Sequence, residues 1–103
     1  MTQEYVPVGS AADVPDGEMR VYQVGGEDVA VANVDGVYYA FGDTCTHMAC
    51  SLSEGDLDET TVTCACHGSE FDVTTGDVLA GPATEPVPSF DAVVEDGLLR
   101  VGL

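Results

Sequence analysis

The chain has no lysine, no tryptophan and only two arginines, Arg20 and Arg100, in 103 residues. Against them stand 19 acidic residues, for a formal net charge of −17. Binding nucleic acid needs cations set against phosphates, so it is excluded as an expected partner. No run of about 18 apolar residues occurs either, which excludes an ordinary membrane span. The start, Met1-Thr2-Gln3-Glu4-Tyr5-Val6, has no basic region leading into an apolar stretch, so no secretion signal is visible and a soluble, cytoplasmic protein is expected. Gly25-Gly26 reads as a turn and not as a dinucleotide-binding fingerprint. Nothing resembles a nucleophile with its base or a substrate pocket, so the chain is not expected to be an enzyme.

The acids run from Glu4 to Asp96 and form no block. Two uses suit such a surface. One is hydration in a salt-loving source; the other is steering towards a basic partner. Dispersal along the whole chain, with lysine absent throughout, favours hydration first and docking second. At high salt the Debye length is only ~3 Å, which leaves little long-range steering.

At this length the chain is expected to be one domain, 1–103. Glu4–Val8 alternates and can open with a strand, followed by the loop Ser10–Gly17 with its breakers Pro15 and Gly17. Strands are expected over Met19–Val24, Asp28–Val34 and Val37–Phe41. The last two flank Asp35-Gly36, a two-residue hairpin signal. Ser51–Gly55 holds at most one helical turn, and Asp58-Glu59-Thr60 reads as a turn. Thr61–Thr63 and Glu70–Val73 enter and leave a second loop. Ala80–Pro88 is too rich in proline and glycine for a strand interior. Ser89–Val94 and Leu98–Val101 close the chain around Glu95-Asp96-Gly97. Short strands with turn signals mean an all-β barrel or sandwich.

All four cysteines and both histidines fall in two stretches, Cys45-Thr46-His47-Met48-Ala49-Cys50 and Cys64-Ala65-Cys66-His67-Gly68-Ser69. The halves read Cys-x-His and Cys-x-x-His, with 16 residues between His47 and Cys64. Two loops, each carrying a soft thiolate and a borderline imidazole, can grip a metal centre from two sides. Two cysteines and two histidines also suit tetrahedral zinc. Zinc fingers usually pair Cys with Cys and His with His. Here each half is mixed and sits in a strand-rich chain, which favours an iron–sulfur cluster.

The pattern Cys-x-His-(16)-Cys-x-x-His resembles the signature of the Rieske iron–sulfur family. Ser51-Leu52-Ser53-Glu54-Gly55 is similar to the segment after the first box in bacterial Rieske-type ferredoxins. Similar too are Phe71-Asp72-Val73, with Thr75-Gly76, and Gly81-Pro82-Ala83-Thr84-Glu85-Pro86. The likeness covers nearly the whole chain. It implies a Rieske-like fold of short antiparallel sheets whose tip is built from two ligand loops and a covering Gly-Pro loop, Gly81-Pro82. An ordinary proline turn is the other reading of that last segment. The implied cofactor is a [2Fe-2S] cluster, with Cys45 and Cys64 on an inner iron and His47 and His67 on an outer one. Replacing two thiolates by neutral imidazoles takes the oxidised core from about −2 to about zero. That raises the potential from roughly −400 mV into a range of roughly −150 to +300 mV.

Cys50 and Cys66 match positions that form a disulfide between the cluster loops in the respiratory-complex branch. Ferredoxins serving ring-hydroxylating dioxygenases usually lack it. The expectation is a Cys50–Cys66 disulfide worth ~3 kcal/mol, against two reduced thiols, the usual cytoplasmic state. Ser69 matches a serine whose hydroxyl donates to a bridging sulfide, whereas Phe71 stands where the respiratory branch has a tyrosine. One donor kept and one missing implies a potential between the two branches. The function implied is that of a soluble one-electron carrier between a reductase and a terminal oxygenase or reductase. Catalytic subunits of Rieske oxygenases need a second domain, for which 103 residues leave no room. Alternatives are an accessory subunit of the nitrite reductase small-subunit type, a zinc-stabilised binding module, and a thiol redox sensor built on Cys50 and Cys66.

Overall fold

The hairpin signals of the sequence become ten strands among the described residues of the computed structural model, which are 5–45, 50–66, 68–81 and 83–102. Strands β2 (Met19–Val24), β3 (Glu27–Val34) and β4 (Val37–Gly42) form an antiparallel meander. Asp35 and Gly36 turn β3 into β4 with φ of 53° and 84°, the pair of left-handed residues that lets a two-residue turn follow strand twist. Strands β1 (Tyr5–Ser10), β9 (Ser89–Glu95) and β10 (Leu98–Gly102) complete a six-stranded sheet in the order β1-β10-β9-β4-β3-β2. Its outer strands β1 and β2 also touch, so the sheet nearly closes on itself.

A second sheet is inserted in the chain between β4 and β9. It takes β5 (Asp56–Asp58), β6 (Thr61–Thr63), β7 (Glu70–Asp72) and β8 (Val78–Ala80) in consecutive antiparallel order. A 3-10 turn at Leu52–Glu54 precedes it, where a single helical turn is expected. A second 3-10 turn, Ala11–Asp13, lies in the expected loop and is capped by Ser10 Oγ, which accepts from the Ala12 N–H at 3.2 Å. β5 and β8 are additions to the sequence reading. Three residues are too few to show a period, and Asp56-Leu57-Asp58 offers one apolar side chain between two acids. β1 runs on to Ser10, beyond the expected end at Val8, while Glu4 lies outside the described residues.

The packing explains the unbroken apolar run on β3. Val29 and Val31 face one core, with Val14, Val24, Ala40, Leu99 and Val101, inside the large sheet. Ala30 and Ala32 face the other, with Phe41, Leu52, Val62, Phe71 and Val73, between the two sheets. Side chains alternate across a strand, so a strand buried on both faces loses its polar alternation. The small alanines let the inserted sheet approach closely. That second core also contains Cys45 and Cys64, so the large sheet is the floor on which the two loops stand.

Candidate metal centre

The first loop leaves β4 and is pinned at its neck. Gly42 N–H donates to Pro88 O at 2.8 Å and Asp43 N–H to Asp28 O at 3.0 Å. Thr44 and Ser51 form an isolated antiparallel bridge, and Cys45 N–H donates to Cys50 O at 2.9 Å. The chain therefore leaves and returns as a two-stranded stem, with Cys45 on one side and Cys50 on the other. Cys45 is 3% exposed.

The second loop joins β6 to β7. Cys64 N–H donates to Ser69 O at 2.8 Å, and Gly68 N–H turns back to Cys64 O at 3.0 Å. Cys64 is buried beside Phe71 and Val62, while Cys66 points outward and is exposed. A disulfide joins Cys50 to Cys66 across the loops, with their Cα atoms 6.5 Å apart. The sulfur of Cys64 lies within 4.8 Å of both disulfide sulfurs. With those two bonded to each other, Cys64 is the member of this trio that still offers a thiol. Cys45 likewise takes no part in the disulfide.

A third segment closes over Ser69, which is fully buried. Its Oγ accepts from the Ala83 N–H at 3.2 Å, leaving the hydroxyl proton to be donated elsewhere. Gly81 has φ of 98°, and a Cβ built there would sit 2.5 Å from Ser69 Cα. Only a residue without a side chain lets this segment lie so close to the second loop. The structure thus places Cys64 beside the disulfide pair, Cys45 in the same buried core as Cys64, and Ser69 under the third segment; Cys45 is not among the sulfurs gathered within 4.8 Å of one another. His47, His67 and Pro82 lie outside the described residues. The sequence reading missed Asp43, whose carboxylate takes hydrogen bonds from Ser51 and Ser53 at the stem of the first loop. The available signal was an acid two residues before Cys45 with two serines after Cys50, a pattern too common to stand out.

Two buried thiols on separate hairpin loops, clipped together by a disulfide over a β floor, give an all-β protein with a candidate site for a soft metal at the end of its smaller sheet. Such a donor set suits iron in a sulfide-bridged cluster: the thiolates are soft ligands, and burial keeps water from them. Residues 4–91 match the Rieske [2Fe-2S] domain family, and the chain belongs to that family. Its cofactor is accordingly a [2Fe-2S] cluster. The chain is 41% identical over 102 residues to ferredoxin CarAc of Metapseudomonas resinovorans, covering 98% of this chain and 95% of that one. It is 40% identical over 94 residues to the ferredoxin component of biphenyl 2,3-dioxygenase from Rhodococcus jostii (strain RHA1), covering 91% and 88%. A chain in the solved complex of reduced oxygenase and oxidized ferredoxin of carbazole 1,9a-dioxygenase is similar with a TM-score of 0.89 at 38% identity, covering 98% of this chain and 94% of that one. Among the described residues, no helix is long and apolar enough to cross a membrane.

Proposed function

We propose that this chain is a one-domain, one-electron carrier, not itself a catalyst, that is reduced by a reductase and passes its electron to a terminal oxygenase in the cytoplasm. Cys45 and Cys64 hold one iron of the cluster, and His47 and His67 hold the other. The single observation that carries this reading is the pair of buried thiols, Cys45 and Cys64, on two loops fixed to each other by the Cys50–Cys66 disulfide. The partners follow from the similar proteins, which are ferredoxin components of dioxygenase systems, one of them solved together with its oxygenase.

When bound, the cluster supplies a single-electron couple, and the chain supplies the setting. The stem from Asp43 to Ser53 fixes where Cys45 stands. Leu52 and Phe71, both fully buried, keep water from the thiolate side. Ser69, its oxygen already engaged by Ala83, holds a proton ready for a sulfur acceptor. Phe71 brings no donor of its own.

Electron paramagnetic resonance of the dithionite-reduced protein, purified anaerobically and assayed for iron and sulfide, tests the assignment. Mixed nitrogen–sulfur ligation lowers the average g-value relative to an all-sulfur cluster, and that lowered value is the expected result. A protein containing zinc but no acid-labile sulfide would overturn the reading.

A further inference from the structure

The stem of the first loop is closed by a side chain for which the ligand scheme has no use. Asp43 is 4% exposed. Its Oδ1 accepts from the Ser53 N–H at 2.8 Å, and its Oδ2 accepts from the Ser51 hydroxyl. Ser51 Oγ is in turn 2.8 Å from Ser53 Oγ. The Asp43 backbone adds its bond to Asp28 O and accepts from the Leu52 N–H at 2.7 Å. One residue thus ties the outgoing arm of the stem to the returning arm and to the start of β3.

These donors are neutral groups, and the two arginines of the chain lie elsewhere, on β2 and β10. Burying a carboxylate against neutral donors is costly, and an asparagine of the same shape could keep only one of the two accepted bonds, the one from the Ser53 N–H or the one from the Ser51 hydroxyl. What asparagine lacks is the second acceptor and the charge, and only the charge acts at a distance. Asp43 stands two residues from Cys45, and two virtual bonds of 3.8 Å span at most ~7.6 Å between Cα atoms. At that range, inside protein, a charge is felt strongly and salt screens it little.

We propose that Asp43 is a positioning residue that also sets the potential: its carboxylate closes the loop carrying Cys45, and its negative charge holds the reduction potential of the centre down. The inference rests on the reading of Cys45 as a ligand. An added electron is repelled by a fixed anion, so removing the anion makes reduction easier. The Ser51 hydroxyl points its positive end at the same carboxylate and softens its field. Deleting that hydroxyl makes reduction harder.

Voltammetry at fixed pH and ionic strength on loaded wild type, Asp43→Asn and Ser51→Ala, each with its iron and sulfide content measured, provides the test. The expected result is an upward shift for Asp43→Asn and a smaller downward shift for Ser51→Ala. A loop-bracing role alone would not move the two variants in opposite directions. An unchanged or lowered potential in Asp43→Asn, or shifts of the same sign in both, overturns the proposal. Should Asp43→Asn fail to hold a cluster, Ser51→Ala decides: a drop supports the proposal, and a rise or no change overturns it. If neither variant loads, the claim about the potential is lost. A wild type without acid-labile sulfide would bring down the ligand reading. A loaded wild type whose variants do not shift as stated brings down only this inference.

Discussion

Ser69 is the side chain at which packing and the proposed redox role meet. It is fully buried, and its single oxygen is engaged by the Ala83 N–H, so a third segment is moored to the second ligand loop. The proton left over is the one that can stabilise an added electron. A hydrogen bond to a charged acceptor is worth about 1.5–3 kcal/mol, and a one-electron couple shifts by about 59 mV for each tenfold change in equilibrium constant. Ser69→Ala is therefore expected to lower the potential by on the order of 60–120 mV. Voltammetry on loaded protein checks this; an unmoved potential would show that the hydroxyl donates elsewhere.

The two ligand loops are the elements on which the site depends, and each is a hairpin end with its own backbone stem. Neither stem fixes one loop against the other. The Cys50–Cys66 disulfide does, joining residues separated by 16 positions. In the chain-entropy picture, closing a loop of that length stabilises the fold by about 3 kcal/mol. The double variant Cys50→Ser, Cys66→Ser should lose about that much in urea denaturation and release its iron faster to a chelator. A variant with the wild-type midpoint and iron retention would show that the shared core already holds the loops in place.

Over the whole molecule, one strand serves two cores, and the price of a net charge of −17 is self-repulsion that only two arginines oppose. At alkaline pH two tyrosines weigh against the folded state. Burial pushes the Tyr22 hydroxyl above the ordinary value of 10.0, with Asp13 and Tyr38 adding to the shift and Arg20 opposing it. The bond that Tyr5 donates to Asp91, at 3.1 Å, raises Tyr5 as well. A group whose folded pKa is raised keeps its proton better in the folded state. Its stabilisation is intact below the unfolded value and is lost as pH climbs through the folded one. Urea midpoints should hold up to about pH 10 and fall above it. Tyr22→Phe should flatten that fall without harm at pH 8, because the Tyr22 hydroxyl has no hydrogen-bond partner among the described residues. An equally steep fall in the variant would place the alkaline limit elsewhere.

The sequence by itself determined the family and the strand-rich class. Ligand spacing and two-residue turns such as Asp35-Gly36 are short-range patterns that chain geometry reads directly. Met19–Val24 could be drawn to the residue for the same reason, as a full alternating strand bounded by turn glycines. Only the tertiary structure decided the rest: β5 and β8, the two-faced use of β3, the mooring of Ser69 by Ala83, and the closure of the stem by Asp43. β5 and β8 are local pairings too short to show a period, and the other features join residues far apart in the chain or turn on burial. An aspartate among 19 dispersed acids looks like one more solvated charge until the fold removes it from water.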